Sequence, residues 1–174
     1  MELKQQIRNI KDFPKQGIMF RDITTLLKNP EAMKYAAEIL FDFCKDKNIT
    51  KVVGIESRGF IFGAILAKML NAGFVPVRKP GKLPADKISE SYQLEYGTDT
   101  LEIHSDAIQA GDRVLIHDDL LATGGTMEAV CKLVKKLGGE ISQISFIVEL
   151  SFLKGRKKLS DYDVKSIVTY EDEN

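Results

Sequence analysis

The sequence predicts a one-domain α/β protein built on a five-stranded, mostly parallel sheet flanked by helices. Short strands that are apolar on both faces alternate with helix-like stretches, which is typical of a parallel sheet covered on both sides. The length of 174 residues fits one domain, and a hydrophobic content of 44% is enough for a core and excludes wholesale disorder. We find no internal repeat, linker or composition shift, so residues 1–174 are expected to form a single domain.

The N-terminal part contains two predicted helices. Leu3, Ile7 and Ile10 are spaced three or four residues apart, which predicts a short amphipathic helix over residues 1–10. Asn29-Pro30-Glu31 has a capping residue, a first-turn proline and an acid at the positive end of the helix dipole. A second helix is therefore predicted to begin there and to end near residues 47–48.

The remaining chain supplies the sheet. Two helices are predicted between strands, over residues 60–70 and about 125–137, the second closed by Gly138 as a left-handed cap. The five predicted strands cover residues 51–55, 74–77, 113–117, 141–149 and 164–169.

One region interrupts this alternation. Residues 79–91 are polar, with almost no apolar periodicity, and they lead into two alternating segments at 92–96 and 100–103. The intervening Gly97-Thr98-Asp99 predicts a hairpin. A long polar loop feeding a hairpin is typical of a mobile lid, which we place at residues 79–104.

Composition excludes several classes of function. Lys and Arg number 25 against 25 Asp and Glu, and this neutrality disfavours a protein that binds nucleic acid by bulk charge. No apolar run is long enough to cross a membrane, and the first residues do not resemble a signal peptide, so no membrane partner is expected. Two cysteines without a CxxC pattern indicate the cytoplasm. His104 and His117 have no Cys or His at ligand spacing, so no protein-held metal cluster is expected.

The strongest functional signal lies where the third strand ends. Asp118 and Asp119 follow an apolar run, at the edge of a parallel sheet where ligands bind. The small-residue turn at 122–126 then opens a helix, so its backbone amides can approach an anion. Together they suit a ribose phosphate. The alternative is an acidic helix start capped by Thr123, and the absence of GK[ST] excludes a Walker loop.

Three other segments suit parts of such a ligand. The turn Glu56-Ser57-Arg58 follows a strand and could hold pyrophosphate, or it could carry only a surface ion pair. The basic residues at 78–82 could extend that site, or be a solvated loop. Phe20 could stack on a purine, or belong to the core with Arg21 paired to a neighbouring acid.

These segments resemble the type I phosphoribosyltransferases, whose motif runs apolar strand, acid pair, small-Thr-Gly-Gly-Thr. The resemblance covers essentially the whole chain and is closer to the members that act on adenine. It rests on these further segments: Phe13-Pro14, Phe20-Arg21-Asp22-Ile23-Thr24, Glu56-Ser57-Arg58-Gly59-Phe60, Arg78-Lys79-Pro80-Gly81-Lys82-Leu83-Pro84 and Tyr92-Gln93-Leu94-Glu95-Tyr96-Gly97.

The resemblance implies that 5-phosphoribosyl is transferred from PRPP to adenine, giving AMP and pyrophosphate in purine salvage. It also implies a type I fold with an N-terminal hood over about residues 1–30, a homodimer, and Mg²⁺ brought by PRPP rather than held directly by protein ligands. A lid carboxylate is a plausible acceptor for the proton that leaves the purine.

The resemblance then assigns roles to individual residues. The expected PRPP and AMP contacts are Asp118, Asp119, Ala122, Thr123, Gly124, Gly125 and Thr126. The expected pyrophosphate contacts are Glu56, Ser57, Arg58, Arg78, Lys79 and Lys82, although Pro80 departs from the basic residue often found at its position. The expected adenine contacts are Phe20, Arg21, Leu121 and Tyr96, and the catalytic residues are Glu95, Arg58 and Lys82.

Two other functions share the phosphate motif. A transferase for xanthine, or for guanine and hypoxanthine, would differ in the hood and the lid. A regulator that binds nucleic acid on the same fold would need an added segment or a strongly basic face, which the neutral chain lacks. Outside the site, we expect a partly buried His117 without a catalytic role and a solvated helix face at residues 154–158.

Overall fold

A five-stranded sheet forms the centre of the computed structural model, which describes residues 1–94 and 97–173. Its strand order is β4-β3-β7-β8-β9, and every neighbouring pair is parallel. This confirms the predicted fold class and extends it, because the sheet is parallel throughout. The strands in the described residues are β1 Arg8–Lys11, β2 Met19–Asp22, β3 Lys51–Ile55, β4 Gly73–Val77, β5 Lys87–Gln93, β6 Thr98–His104, β7 Arg113–Leu121, β8 Glu140–Leu150 and β9 Val164–Tyr170.

Three long helices begin and end close to the predicted positions, and one short helix was not predicted. The short helix is α1 Thr24–Leu27, and the long ones are α2 Pro30–Cys44, α3 Gly59–Leu70 and α4 Gly125–Lys136. The Asn29 side chain accepts hydrogen bonds from the backbone amides of Glu31 and Ala32 at 3.1 and 3.3 Å, as expected for the cap of α2. Gly138 has a φ of 89°, the left-handed conformation predicted beyond α4. Among the described residues, no helix is both long and apolar enough to span a membrane.

The helix predicted over residues 1–10 is wrong. Only Leu3–Gln6 forms a 3₁₀ turn, and β1 then pairs antiparallel with β2. Leu3 and Ile7 are both buried, so the apolar spacing does mark a core-facing side. Ten residues are too few for a helix to be stable by itself, and pairing with β2 satisfies the backbone of β1 instead.

The sheet separates two hydrophobic clusters because neighbouring residues of a strand face opposite sides. Val52 and Leu115 point to the side covered by α2 and α3. Val53 and Ile116 point to the opposite side, covered by α4 and by the hairpin of β5 and β6. All four side chains are fully buried, which explains the uninterrupted apolar runs in the sequence.

The predicted hairpin is present but begins earlier than expected. β5 starts at Lys87, inside the stretch interpreted as loop, and pairs in register with β6. Its alternate residues Ile88, Glu90 and Tyr92 are partly buried against the body of the protein, although Glu90 is charged. Glu90 forms an ion pair with Lys136 on α4 at 2.6 Å, so a charged residue occupies a position where an apolar one would have revealed the strand.

The basic segment at residues 154–158 is also different from the prediction. It lies mostly in a 3₁₀ turn, Gly155–Leu159, whose first and last residues are buried. Arg156 makes a bidentate pair with the buried carboxylate of Glu149, with Nε–Oε1 and Nη2–Oε2 distances of 2.6 and 2.7 Å. The segment is therefore anchored to β8 and is not simply a solvated helix face.

Candidate active site

A cavity of about 540 Å³ opens at the carboxyl edge of the sheet. The loops after β3 and β7, the basic loop after β4 and the hairpin all contribute to its wall. Among the described residues, its lining consists of Ile55, Glu56, Ser57, Arg58, Lys79, Tyr92, Leu101, Asp118, Asp119, Leu120, Leu121, Ala122, Thr123, Gly124, Thr126, Met127 and Phe146.

Sheet topology brings these loops together. Strands β4, β3 and β7 are neighbours in the sheet, and all three run in the same direction, so their carboxyl ends meet. The first residue of α3 lies directly against the end of β7: a Cβ on Gly59 would stand 2.9 Å from Oδ1 of Asp118. The absence of a side chain at Gly59 therefore allows the turn after β3 to approach the acid pair.

The acid pair is largely enclosed and has one guanidinium beside it. Asp119 is 6% exposed, and its Oδ2 lies 2.7 Å from Nε of Arg58. The backbone amide of Asp119 donates to Oδ1 of Asp118 at 2.8 Å. Burial raises the pKa of both carboxyls; the neighbouring Asp119 raises that of Asp118 further, whereas Arg58 opposes the shift at Asp119. Two carboxylates thus share one cation, and the pair has capacity to accept hydroxyl donors or a metal ion.

The basic loop is held by Glu56. Arg78 forms an ion pair with Oε1 of Glu56 at 3.2 Å, and the backbone amide of Lys79 donates to Oε2 at 2.8 Å. The Lys79 amide, together with the charges of Arg78 and Lys82, lowers the pKa of Glu56 against the opposing effect of burial. Arg78 and Lys82 therefore lie near the site, although neither belongs to the described cavity lining. The Glu56–Ser57 peptide bond is cis.

The small-residue turn at residues 122–126 packs closely against a second backbone segment, which begins at Gly155. Gly124 has a φ of 85°, and a Cβ there would stand 2.7 Å from the carbonyl oxygen of Gly155. A Cβ on Gly155 would stand 2.3 Å from the carbonyl oxygen of Ala122. Gly125 instead faces the hairpin, where its Cβ would meet the ring of Tyr92 at 3.5 Å. The close approach of two backbones fixes the path of residues 122–124.

The hairpin adds a polar network that the sequence did not reveal. Lys79 pairs with Asp99 through its ammonium group, and the Tyr92 hydroxyl donates to the same Asp99 oxygen at 3.2 Å. Tyr92 and Thr126 both line the cavity. The period-two alternation of β5 could have indicated that Tyr92 faces inward, but Asp99 was interpreted as a turn residue.

The two expected adenine residues of the N-terminal hairpin point in different directions. The ring centroid of Phe20 is 5.3 Å from the guanidinium carbon of Arg58, so Phe20 lies close to the cavity. The Arg21 side chain packs 3.9 Å above the Tyr170 ring and donates to the carbonyl of Glu173 at 3.1 Å. The structure therefore directs the side chain of Arg21 to the C-terminal strand, contrary to a side-chain role in the base pocket.

The remaining expectations concern the lid and the third strand. Glu95 and Tyr96 lie outside the described residues. His117 was expected to be partly buried, which is wrong: it is fully buried, its Nδ1 lies 2.9 Å from Oγ of Ser145, and burial lowers its pKa to about 3. The continuous core on both faces of β7 encloses it.

Comparison with known proteins agrees with this geometry. The model of the phosphoribosyl transferase domain matches residues 22–174. The adenine phosphoribosyltransferase of Flavobacterium johnsoniae is 61% identical over 170 residues, covering 98% of this chain and all of that protein. The solved adenine phosphoribosyltransferase of Thermoanaerobacter pseudethanolicus is 54% identical, with a TM-score of 0.94 over 97% of this chain and 98% of that chain.

A second similar structure carries ligands. The Saccharomyces cerevisiae adenine phosphoribosyltransferase, complexed with an iminoaltritol bisphosphate and adenine, is 42% identical, with a TM-score of 0.88 over 95% of this chain and 96% of that chain. The acid pair, the glycine turn and the basic loop around the cavity are among the segments on which the resemblance to the type I enzymes rests. The chain thus belongs to the phosphoribosyl transferase family and, within it, to the adenine phosphoribosyltransferases.

Proposed function

We propose that the chain transfers the 5-phosphoribosyl group of PRPP to adenine, giving AMP and pyrophosphate. The observation that carries this proposal is the convergence of an acid pair, a glycine turn and three paired cations around one cavity. In the reaction, N9 of adenine forms a bond to the anomeric carbon, the bond to the diphosphate oxygen breaks, and the N9 proton leaves. Relatives that are 54–61% identical over nearly their full length support adenine as the base.

The sugar phosphate is proposed to lie along β7 and the turn that follows it. Asp118 and Asp119 accept hydrogen bonds from the ribose hydroxyls, because both carboxylates lie in the cavity at the strand end. The 5′-phosphate binds the backbone amides of residues 122–126 at the start of α4, where the helix dipole favours an anion. The left-handed Gly124 allows the backbone to curve around that phosphate.

The diphosphate is proposed to lie between the turn after β3 and the basic loop. Glu56 and Ser57 shape this side, and Arg58, Arg78, Lys79 and Lys82 supply positive charge to the leaving group. Arg58 and Arg78 must exchange carboxylate partners for phosphate oxygens when the substrate binds. Stabilising the departing diphosphate in this way lowers the barrier to breaking its bond.

Adenine is proposed to bind between the N-terminal hairpin and β7. Phe20 supplies a ring for stacking, Leu121 supplies a buried apolar wall, and the backbone of Arg21 is adjacent for hydrogen bonding. We propose that Glu95 receives the purine proton and that Tyr96 closes over the base, as the resemblance implies. Residues 1–30 and 79–104 are proposed to act as hood and lid of this one domain.

Mg²⁺ fits the donor set of this cavity. The ion is proposed to arrive with PRPP, because phosphate oxygens are among the hard ligands that Mg²⁺ prefers. Asp118 and Asp119 would add negative charge near it, because they outnumber their single cation Arg58. When bound, the ion would neutralise phosphate charge. We also propose a homodimer, and a cytoplasmic location, since Cys44 and Cys131 are both buried free thiols.

A parallel assay tests the proposed function. The purified chain is incubated with PRPP and Mg²⁺, and separately with adenine, guanine, hypoxanthine and xanthine, and nucleotide and pyrophosphate formation are measured. AMP from adenine is the expected preferred product, and it should disappear with a chelator. Preference for another base would assign the chain to the rival purine transferases, whereas no nucleotide from any base would refute a transferase.

A further inference from the structure

Lys79 pairs with a carboxylate, that of Asp99, to which no role has been assigned. Its ammonium group pairs with Oδ2 of Asp99, which lies on β6 of the hairpin, 20 residues further along the chain. The Lys79 side chain lines the cavity and is 46% exposed, whereas that of Asp99 is 26% exposed and does not line it. Asp99 therefore contacts the ammonium group from the hairpin without lining the cavity itself.

The hydrogen bonds of Asp99 continue across the hairpin to Tyr92. The Tyr92 hydroxyl donates at 3.2 Å to Oδ2 of Asp99, the same oxygen that pairs with Lys79. Oδ1 of Asp99 accepts from the backbone amide of Thr100 at 2.8 Å, which fixes the carboxylate. Tyr92 and Lys79 both line the cavity, so Asp99 connects two parts of its wall.

The ammonium group keeps donors for a substrate while it holds Asp99. It has three N–H donors, and within the described part of the chain one is used by Asp99, which leaves two for phosphate oxygens. The pairing raises the pKa of Lys79 and lowers that of Asp99, so both groups stay charged near neutral pH. A free lysine would lose more side-chain entropy on binding than one already held in the cavity wall.

We propose that Asp99 is a positioning residue for PRPP: it holds the Lys79 ammonium toward the diphosphate and is itself fixed by hydrogen bonds from the Tyr92 hydroxyl and the amide of Thr100. This inference rests on the proposed function. Asp99 differs from Glu56 and Asp119, the partners of the other two cations, because those carboxylates line the cavity and Asp99 acts only through Lys79.

Steady-state kinetics of Asp99→Asn test the proposal. The substitution keeps the shape and an acceptor for Tyr92 but removes the charge that orients Lys79. KM for PRPP is expected to rise about fivefold, with kcat and KM for adenine changing by less than about twofold, the size of effect typical of one partly exposed charged contact. Asp99→Glu, which restores the carboxylate, should recover part of the loss.

A double-mutant cycle separates positioning from a general structural effect. In a Lys79→Met background, Asp99→Asn should leave KM for PRPP unchanged, because its only route of action is gone. The matched control is Glu90→Gln, which breaks a hairpin ion pair with Lys136 that lies away from the cavity. It should leave KM for PRPP unaltered.

The outcomes distinguish this proposal from the proposed function. Wild-type chain that forms no AMP refutes the function, whereas active wild-type chain with an unchanged or lowered KM in Asp99→Asn refutes only the positioning role. Equal effects in both backgrounds would also overturn it. Should circular dichroism show that Asp99→Asn does not fold, Tyr92→Phe replaces it. This variant removes the hydroxyl bond that fixes Asp99, so KM for PRPP should rise about twofold or more, and an unchanged KM overturns the proposal.

Discussion

Two effects act in opposite directions on the pKa of Asp119. It is almost fully buried, and it pairs with Arg58 at 2.7 Å while facing the cavity in which ribose hydroxyls are proposed to bind. Burial raises its pKa, and Arg58 opposes that shift. The pair therefore favours the carboxylate form at a site where burial alone would favour the neutral acid more strongly.

Asp119→Asn is expected to lower kcat/KM by more than about tenfold, because the amide is a weaker acceptor for ribose hydroxyls and leaves Arg58 without its partner. The measurement is steady-state AMP formation with both substrates varied. Asp42→Asn is the matched control, since Asp42 forms an exposed ion pair with Lys45 on α2 and should leave the kinetics unchanged. Near-normal kinetics of Asp119→Asn would contradict the role assigned to the acid pair.

At the scale of elements, the turn after β7 depends on the 3₁₀ turn Gly155–Leu159. The two backbones approach so closely at Ala122 and Gly155 that there is no space for a methyl group between them. The bidentate Arg156–Glu149 pair, which also includes the Ser166 hydroxyl bonded to Glu149 at 2.7 Å, anchors the 3₁₀ turn to the sheet. The proposed phosphate site thus relies on a segment about 30 residues away in sequence.

Gly155→Ala is expected to raise KM for PRPP at least about fivefold, because the new methyl must displace the carbonyl of Ala122 and with it the amides of the turn. The variant should also melt at a lower temperature. The comparison is Gly73→Ala, whose Cβ would meet only the flexible side chain of Lys51 at 3.2 Å. If Gly155→Ala bound PRPP as the unchanged chain does, support of the turn by Gly155 would be refuted.

The sequence predicted elements best where pattern and local chemistry agreed. The parallel strands are apolar on both faces, and Asn29 caps α2, so the sheet and that helix were both predictable. The strand β5 was predicted to begin too late, because the charged Glu90 occupies one of its inward-facing positions and hides the alternation. Residues 1–10 were assigned a helix because spacing cannot show that β2 offers a partner strand.

The site residues, too, could be predicted only where their grouping is local in the sequence. Asp118, Asp119 and the glycine turn were predictable because they are contiguous at a strand end. The contacts of Asp99 and Gly155 depend on segments distant in sequence, and the direction of the Arg21 side chain depends on Tyr170 in the last strand. Pairings of this kind arise from the tertiary fold and leave no local signal.

At the scale of the whole molecule, His117 couples stability to pH. Burial lowers its pKa from 6.5 to about 3, so the folded state holds it neutral whereas the unfolded chain protonates it below pH 6.5. The contribution of the neutral His117 to the free energy of unfolding is therefore complete above pH 6.5 and is lost progressively as the pH falls toward 3. Between pH 7.5 and pH 5, with 1.36 kcal/mol per pKa unit, the loss is about 2 kcal/mol.

Urea unfolding at the two pH values measures this loss. Between the two pH values, the free energy of unfolding of the unchanged chain should fall by about 2 kcal/mol more than that of the His117→Asn variant. The Asn side chain keeps an acceptor or donor for Ser145 but does not titrate. Carboxyl groups also respond to acid, but they are common to both proteins and cancel in the difference. Equal losses would show that His117 does not carry the dependence.

The three ion pairs at the cavity mean that the chain brings its own counterions. Arg58, Arg78 and Lys79 are each neutralised by a carboxylate of the protein, at separations of 2.7 Å for Arg58 and 3.2 Å for Arg78. A monovalent anion from the medium would replace a preorganised carboxylate with a single charge, so its binding would be weak. A magnesium diphosphate engages several cations at once. Selectivity for the substrate over the abundant small anions of a cell then follows from valence, before any group on the sugar or the base is recognised.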